Sequence, residues 1–291
     1  MASLDDLKKR ISSVKSTQKI TKAMKMVAAS KLRRAQESAE KGRPYSDKMN
    51  NIILNLSNSI TDKENSPKLL VGSGDDKVHL CIVMTSDRGL CGGFNTNIIK
   101  KAKLYFQKII DAGKTLKIIT VGSKGYDQLK RVYGNQIIEK ISFKDSKVAN
   151  YLDAEVVGKK IIELFEKNEF DVCTIFYNQF KNVITQIPQE QQIIPLKSNE
   201  IKKNSVEDNY EFEPEEDEIL SNLLPKNIST QIFKAMLENS ASEQGSRMSA
   251  MDNATRNAGE LVDKLTINYN RSRQAAITKE LIEIISGAES L

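Results

Sequence analysis

Residues 237–276 read LENSASEQGSRMSAMDNATRNAGELVDKLTINYNRSRQAA, and their spacing decides the architecture. Leu237, Ala241, Gln244, Met248, Met251, Thr255, Ala258, Val262, Leu265, Tyr269, Ser272 and Ala276 alternate four and three apart, a heptad seam sustained over more than five repeats. The seam is rich in Ala, Ser, Thr, Gln and Met, so two backbones can approach closely while the apolar drive stays modest. Residues 226–291 hold no proline and three glycines, which leaves one long helix unbroken. At about 1.5 Å per residue such a helix reaches on the order of 100 Å, far more than a compact domain needs.

A partner helix is legible at the other end. Ser3 is a plausible cap, with Asp5 and Asp6 in the first turn where the helix dipole favours negative charge. Leu4, Leu7, Ile11 and Val14 open a stripe that runs on through Gln18, Thr21, Met24, Ala28, Leu32, Ala35 and Ala39. Arg43-Pro44 marks a kink or break before apolar spacing resumes at Met49, Ile52, Ile53 and Leu56. The two ends therefore predict a long antiparallel coiled coil, because the intervening chain can return on itself.

The middle has a different texture. Val78–Thr85 is a continuous apolar run, as in a strand covered on both faces. A helix near 95–112 follows, then a strand at Leu116–Val121, a helix at 123–133, a strand at Ile137–Ile141, a helix at 148–168 and a strand at Phe170–Tyr177, with 183–196 extending the sheet. Alternating β and α units predict a doubly wound, Rossmann-like α/β domain. The expected division is 1–60 for the first helix, 77–196 for the α/β domain, 197–218 for an acidic loop and 219–291 for the second helix; 60–76 reads as a linker.

Charge is unevenly spread. The formal net charge is +6. Residues 1–43 hold 12 Lys and Arg against 4 Asp and Glu, while 207–218 hold 8 acidic residues and no basic one. Such blocks describe surfaces and partners rather than folds. The basic helix face could meet nucleic-acid phosphates, but it lacks interleaved aromatics, and a solvated face or one turned toward an acidic protein is the stronger reading. No stretch approaches the roughly 20 apolar residues of a membrane span, and the first residues look like neither a signal nor a transit peptide.

Candidate chemistry is sparse. Ser86–Asn95 is a Gly-rich turn between the first strand and a helix, the place where doubly wound sheets hold phosphates, yet neither G-x-G-x-x-G nor GxxxxGK[ST] is present. Gly122-Ser123-Lys124-Gly125 lacks the spacing too, so a tight structural turn is expected. Cys91 beside Asp87 and Arg88 has no histidine partner; the one histidine, His79, lies in the first strand and reads as a strand residue without chemical duty. Cys81, Cys91 and Cys173 form no metal-ligand pattern and suit a reducing compartment. No catalytic residue, cofactor or metal is expected. Met24, Met26, Met236, Met248 and Met251 fall on the end helices, where ordinary packing and a sliding contact are both open readings.

Three segments together resemble the gamma subunit of F-type ATP synthase. Gln18–Lys31 looks like that family's first helix, Ser86–Asn95 like its loop, and Ile277-Thr278-x-Glu280-x-x-Glu283-x-x-x-Gly287-Ala288-x-Ser290 fits its C-terminal signature at every defined position; 242–244 and 250–255 add to it. The resemblance implies a non-catalytic rotor shaft. It implies alpha and beta subunits around the coiled coil, epsilon and the c-subunit ring beneath, and peripheral attachment at the cytoplasmic face of a bacterial inner membrane. Met24, Arg273, Gln274, Thr278, Glu280, Leu281 and Ile285 would lie at partner interfaces. The alternative is an independent nucleotide- or nucleic-acid-binding protein with a coiled-coil arm.

Overall fold

The computed structural model describes residues 3–59, 67–143, 149–196 and 216–289. Most of the acidic run (207–215) and Ser290 of the C-terminal signature lie outside them. In chain order the elements are α1 (Leu4–Ser59), α2 (Lys68–Val71), β1 (Val78–Met84), α3 (Phe94–Asp111), β2 (Thr115–Val121), α4 (Ser123–Tyr133), β3 (Ile137–Ile141), α5 (Tyr151–Glu166), β4 (Val172–Phe180), β5 (Gln186–Ile194) and α6 (Glu216–Glu289). They form two compact units, Met1–Ala29 with Arg247–Leu291, and Ser30–Ser246. Both α1 and α6 contribute to each.

In the larger unit the strands lie in the order β3-β2-β1-β4-β5. β1 to β4 are parallel, and β5 returns antiparallel from β4. Alternation along the strands feeds two cores. Cys81, Val83, Leu116, Ile118 and Phe176 pack under α3 and α4 through Ile98, Phe106 and Leu129. Leu80, Ile82, Met84, Ile119, Val121 and Ile175 face α5 and the first half of α6, meeting Val157, Ile161, Ile228 and Ile232. Helices on both faces make the sheet doubly wound, and the continuous apolar run of β1 follows from that double cover.

Two details refine the sequence reading. α1 runs through Pro44 without a break. Proline there forfeits one helical hydrogen bond and costs about 3 kcal/mol in an isolated helix. The flanking turn is held from within and from outside: Ser46 Oγ donates to the Arg43 carbonyl of the same helix at 3.0 Å, Ala39 and Ser46 are buried, and Arg43 is bound by Glu238 of α6. The stretch read as a linker, 60–76, contains α2, whose Leu70 joins Ile53, Leu220 and Leu224 in a third apolar cluster.

The smaller unit is an antiparallel pair. Ser3 caps α1 reciprocally with Asp6, Ser3 Oγ accepting from the Asp6 amide at 3.1 Å and the Ser3 amide donating to Asp6 Oδ2 at 3.3 Å. Lys25 Nζ donates to Asp252 Oδ1 at 2.6 Å. Thr21 Oγ1 and Thr255 Oγ1 stand 2.8 Å apart, and Gly259 faces Gln18 closely. As α1 numbers fall, α6 numbers rise. Leu7, Thr21, Ala28, Met251, Ala258, Val262 and Leu265 are buried along this seam, and Asp252, Arg256, Glu260 and Lys264 outside it are exposed.

Candidate functional site: the helix pair and its fastening to the sheet

The larger unit fastens α1 and α6 to the sheet through β4. β1 accompanies β4 only as far as the Val83↔Phe176 pair. Beyond it, no strand among the described residues receives the backbone groups of Asn178 and Phe180 on that edge, and buried amides left bare would be costly. Helix side chains receive all four. Asn178 N donates to Asn239 Oδ1 at 3.2 Å, and Ser242 Oγ donates to Asn178 O at 2.9 Å. Phe180 N donates to Glu238 Oε2 at 2.9 Å, and Arg43 Nη2 donates to Phe180 O at 3.0 Å. Arg43 closes the set with a two-pronged grip on Glu238, at 2.5 Å from Nε and 3.0 Å from Nη2.

The Glu238 side chain is only 2% exposed, so its charge is tolerable only because guanidinium and amide donors surround it. The carboxylate's hydrogen bonds hold the Arg43 guanidinium above its ordinary value, against burial acting the other way. Small residues permit the approach. Gly42 faces the Leu237 side chain, and a methyl group added to Gly245 would stand 3.2 Å from the Phe180 ring. A second polar chain passes from the Ser46 carbonyl through Gln231 to Gln191 and on to the Tyr177 hydroxyl.

The carboxyl ends of the parallel strands, where a doubly wound sheet usually receives a ligand, are filled from within. Ser246 Oγ of α6 donates to the Cys91 carbonyl at 2.7 Å. In the Gly-rich turn the Asn95 carboxamide binds Ser86 Oγ at 2.8 Å and Cys91 Sγ at 3.2 Å. Asp87 Oδ1 accepts from Ser123 N, Ser123 Oγ and Ser142 Oγ at 2.8, 2.8 and 2.7 Å, tying the ends of β1, β2 and β3 together. Burial pushes the Asp87 carboxyl up, but these donors outweigh it and leave it below the usual range. Gly122 adopts φ +104° directly against the Thr85 backbone. The turn is thus a hydrogen-bonded fastener.

His79 stands at the opposite end of β1 from Cys91. Its Nε2 lies 2.7 Å from Asp76 Oδ1, while its Nδ1 is buried without a partner. All three cysteines are buried and reduced. Among the described residues no group of His, Cys, Asp and Glu could hold a metal ion, and no helix is long and apolar enough to cross a membrane.

The residues expected at partner interfaces all belong to the smaller unit. Arg273, Gln274, Thr278, Glu280, Leu281 and Ile285 are exposed, and Met24 is half-buried in the α1 seam. Met24 lies at the level of Asp252, about 30 Å along the helix axis from the nearest of the others, so the chain does not bring it together with them. The Thr278 hydroxyl donates back to the Gln274 carbonyl at 3.0 Å. The register runs α1 out opposite the low 270s of α6. Past that point Ile277, Leu281, Ile282, Ile284 and Ile285 are 49–67% exposed.

Sequence reading missed Arg43 and Ser242 as anchors and passed over Glu238, Asn239 and Phe180. A signal existed: Ala235, Glu238, Ser242 and Gly245 form a second stripe of small or polar residues beside the seam.

A pair of long helices fastened by directional bonds to an α/β sheet defines a stalk-like element. Comparisons with known proteins give that class its family. The family model described as ATP synthase matches residues 3–291. The chain is 87% identical to an ATP synthase gamma chain of Pelagibacter ubique and 56% identical to one of Rhizobium etli, each covering 100% of both chains. A structure of the Tetrahymena thermophila mitochondrial ATP synthase central stalk and c-ring contains a chain 27% identical, with TM-score 0.61, over 81% of this chain and 99% of that one. A Euglena gracilis mitochondrial ATP synthase chain shares the fold at TM-score 0.70 and 19% identity, over 99% of this chain and 94% of that one. The chain belongs to the ATP synthase gamma-chain family, and its role is that of a non-catalytic rotor subunit in ATP synthesis.

Proposed function

We propose that the chain is the central shaft through which proton flow across the membrane ring drives ATP synthesis in a ring of alpha and beta subunits. The supporting observation is the apolar end of α6, where five aliphatic side chains in nine residues remain 49–67% exposed. Covering a large aliphatic side chain is worth roughly 1.5–3 kcal/mol, so a helix end of this kind favours an apolar sleeve from partner subunits. Non-directional contact also suits a bearing, because directional bonds would resist each turn. In this reading Leu281 and Ile285 enter the sleeve, Arg273, Gln274, Thr278 and Glu280 face the ring where polar contact can catch it, and Met24 meets it with a soft apolar side chain. The larger unit stands on the c-subunit ring beside epsilon. The complex is carried at the cytoplasmic face of the inner membrane, and nucleic acid plays no part.

Affinity-tagged chain, expressed with its native partners, should recover alpha, beta, epsilon and c subunits in fixed ratio. Recovery of the chain alone, or with nucleic acid, from cells that contain the assembled complex would overturn the proposal.

A further inference from the structure

Load can cross from the sheet to the helices through apolar packing or through directional bonds, and of the latter the β4 edge carries four where the chain through Gln231 meets the sheet by one. The apolar face of α6, with Ile228, Ile232, Ala235 and Met236, packs on the sheet. Such contact holds the surfaces together but resists sideways displacement weakly, because apolar attraction has no direction. The four bonds on the β4 edge are directional. They run to two alternate residues of one strand, Asn178 and Phe180, from one turn of α6 (Glu238, Asn239, Ser242) and from Arg43 of α1. Hydrogen bonds weaken steeply as their angle opens, so a small rotation of the helices against the strand strains all four together. The strand and α6 side of the ladder is dry, with Asn178, Glu238, Asn239 and Ser242 only 0–7% exposed, and the Arg43 side chain, 36% exposed, closes it from the rim; a low local dielectric strengthens such networks.

We infer that the turning moment passes between the α/β domain and the helix pair through this side-chain ladder on β4, with Glu238 as the positioning residue that aligns Arg43 against Phe180. The inference rests on the rotor reading above and adds where in the chain torque crosses. Glu238 touches no substrate; it holds two helices and a strand in one registration.

The experiment uses the complete membrane-bound complex carrying Glu238→Gln. Glutamine keeps the shape, but whichever way its carboxamide turns, one of the two acceptor positions, that facing Arg43 Nε or that shared by Arg43 Nη2 and the Phe180 amide, becomes an NH2 donor. Three quantities are read: recovery of assembled complex, the ratio of proton-driven ATP synthesis to ATP hydrolysis, and rotor torsional stiffness in single-molecule rotation. The expected result is normal recovery and hydrolysis, with the ratio and the stiffness each lowered severalfold. The control is Lys234→Ala, which removes an ion pair to the exposed Asp47 on the same two helices and should move neither. If Glu238→Gln prevents assembly, Ser242→Ala removes a single hydroxyl of the ladder and decides the matter by the same readings. Unchanged ratio and stiffness in an assembled variant would overturn the inference. Failure of the wild-type chain to enter a rotating complex would instead overturn the rotor reading and is told apart at the recovery step.

Discussion

Replacing Leu281 and Ile285 together by aspartate tests the bearing directly. In the free chain the two side chains are 54% and 57% exposed, and substitutions at such surface sites usually change stability by no more than about 0.5 kcal/mol. The unfolding midpoint of the isolated variant should therefore match the wild type. In the complex, the half of each side chain still open would be covered. With full burial worth roughly 1.5–3 kcal/mol, each residue contributes about 1 kcal/mol there and the pair about 2. That loss alone weakens association roughly 30-fold, and burying carboxylates in an apolar sleeve adds a further penalty. Size exclusion of complex assembled at limiting concentration reads the affinity, and ATP synthesis driven by an imposed proton gradient reads the coupling. Recovery and synthesis both at wild-type levels would refute the sleeve, since no buried apolar contact could absorb two carboxylates unnoticed.

The antiparallel register makes Thr21→Cys and Thr255→Cys an efficient disulfide pair, whereas cysteines near 10 and near 240 should stay reduced under the same oxidant; gel mobility decides. Gly122→Ala would place a methyl carbon 2.3 Å from the Thr85 carbonyl oxygen at φ +104°. Positive φ alone costs about 1–3 kcal/mol, so chemical denaturation should show at least that loss, and a wild-type midpoint would contradict the close approach. His79 is held below its ordinary value chiefly by burial, with Asp76 opposing. Its folded form refuses a proton that the unfolded chain accepts, so stability is complete above the unfolded value near 6.5 and declines as pH falls below it. His79→Leu should flatten the unfolding midpoint between about pH 6.5 and 5, above the range where carboxylates titrate; an unchanged slope would show that His79 does not carry the decline.

Periodicity was sufficient for the two long helices, their antiparallel pairing and the alternation of β and α, because each depends on local spacing that water and burial read directly. The unpartnered tip was legible for the same reason: the seam ends at Ala276, and apolar residues continue on several sides. The first half of α6 was not legible. From Ile219 to Met251 only Ser221, Asn222 and Lys226 are exposed. A single seam cannot express this, because the helix there serves α1, α5 and the sheet at once. Pro44 read as a kink or break because a helix considered alone pays for the missing hydrogen bond. Contacts distant in sequence at Arg43 and Ser46 outweigh that cost. Glu238 shows the division most clearly. In the sequence it is one more charged helix residue beside a seam. Only the fold reveals that β1 stops short of Phe180, leaving backbone groups on β4 that a buried carboxylate and its arginine must satisfy.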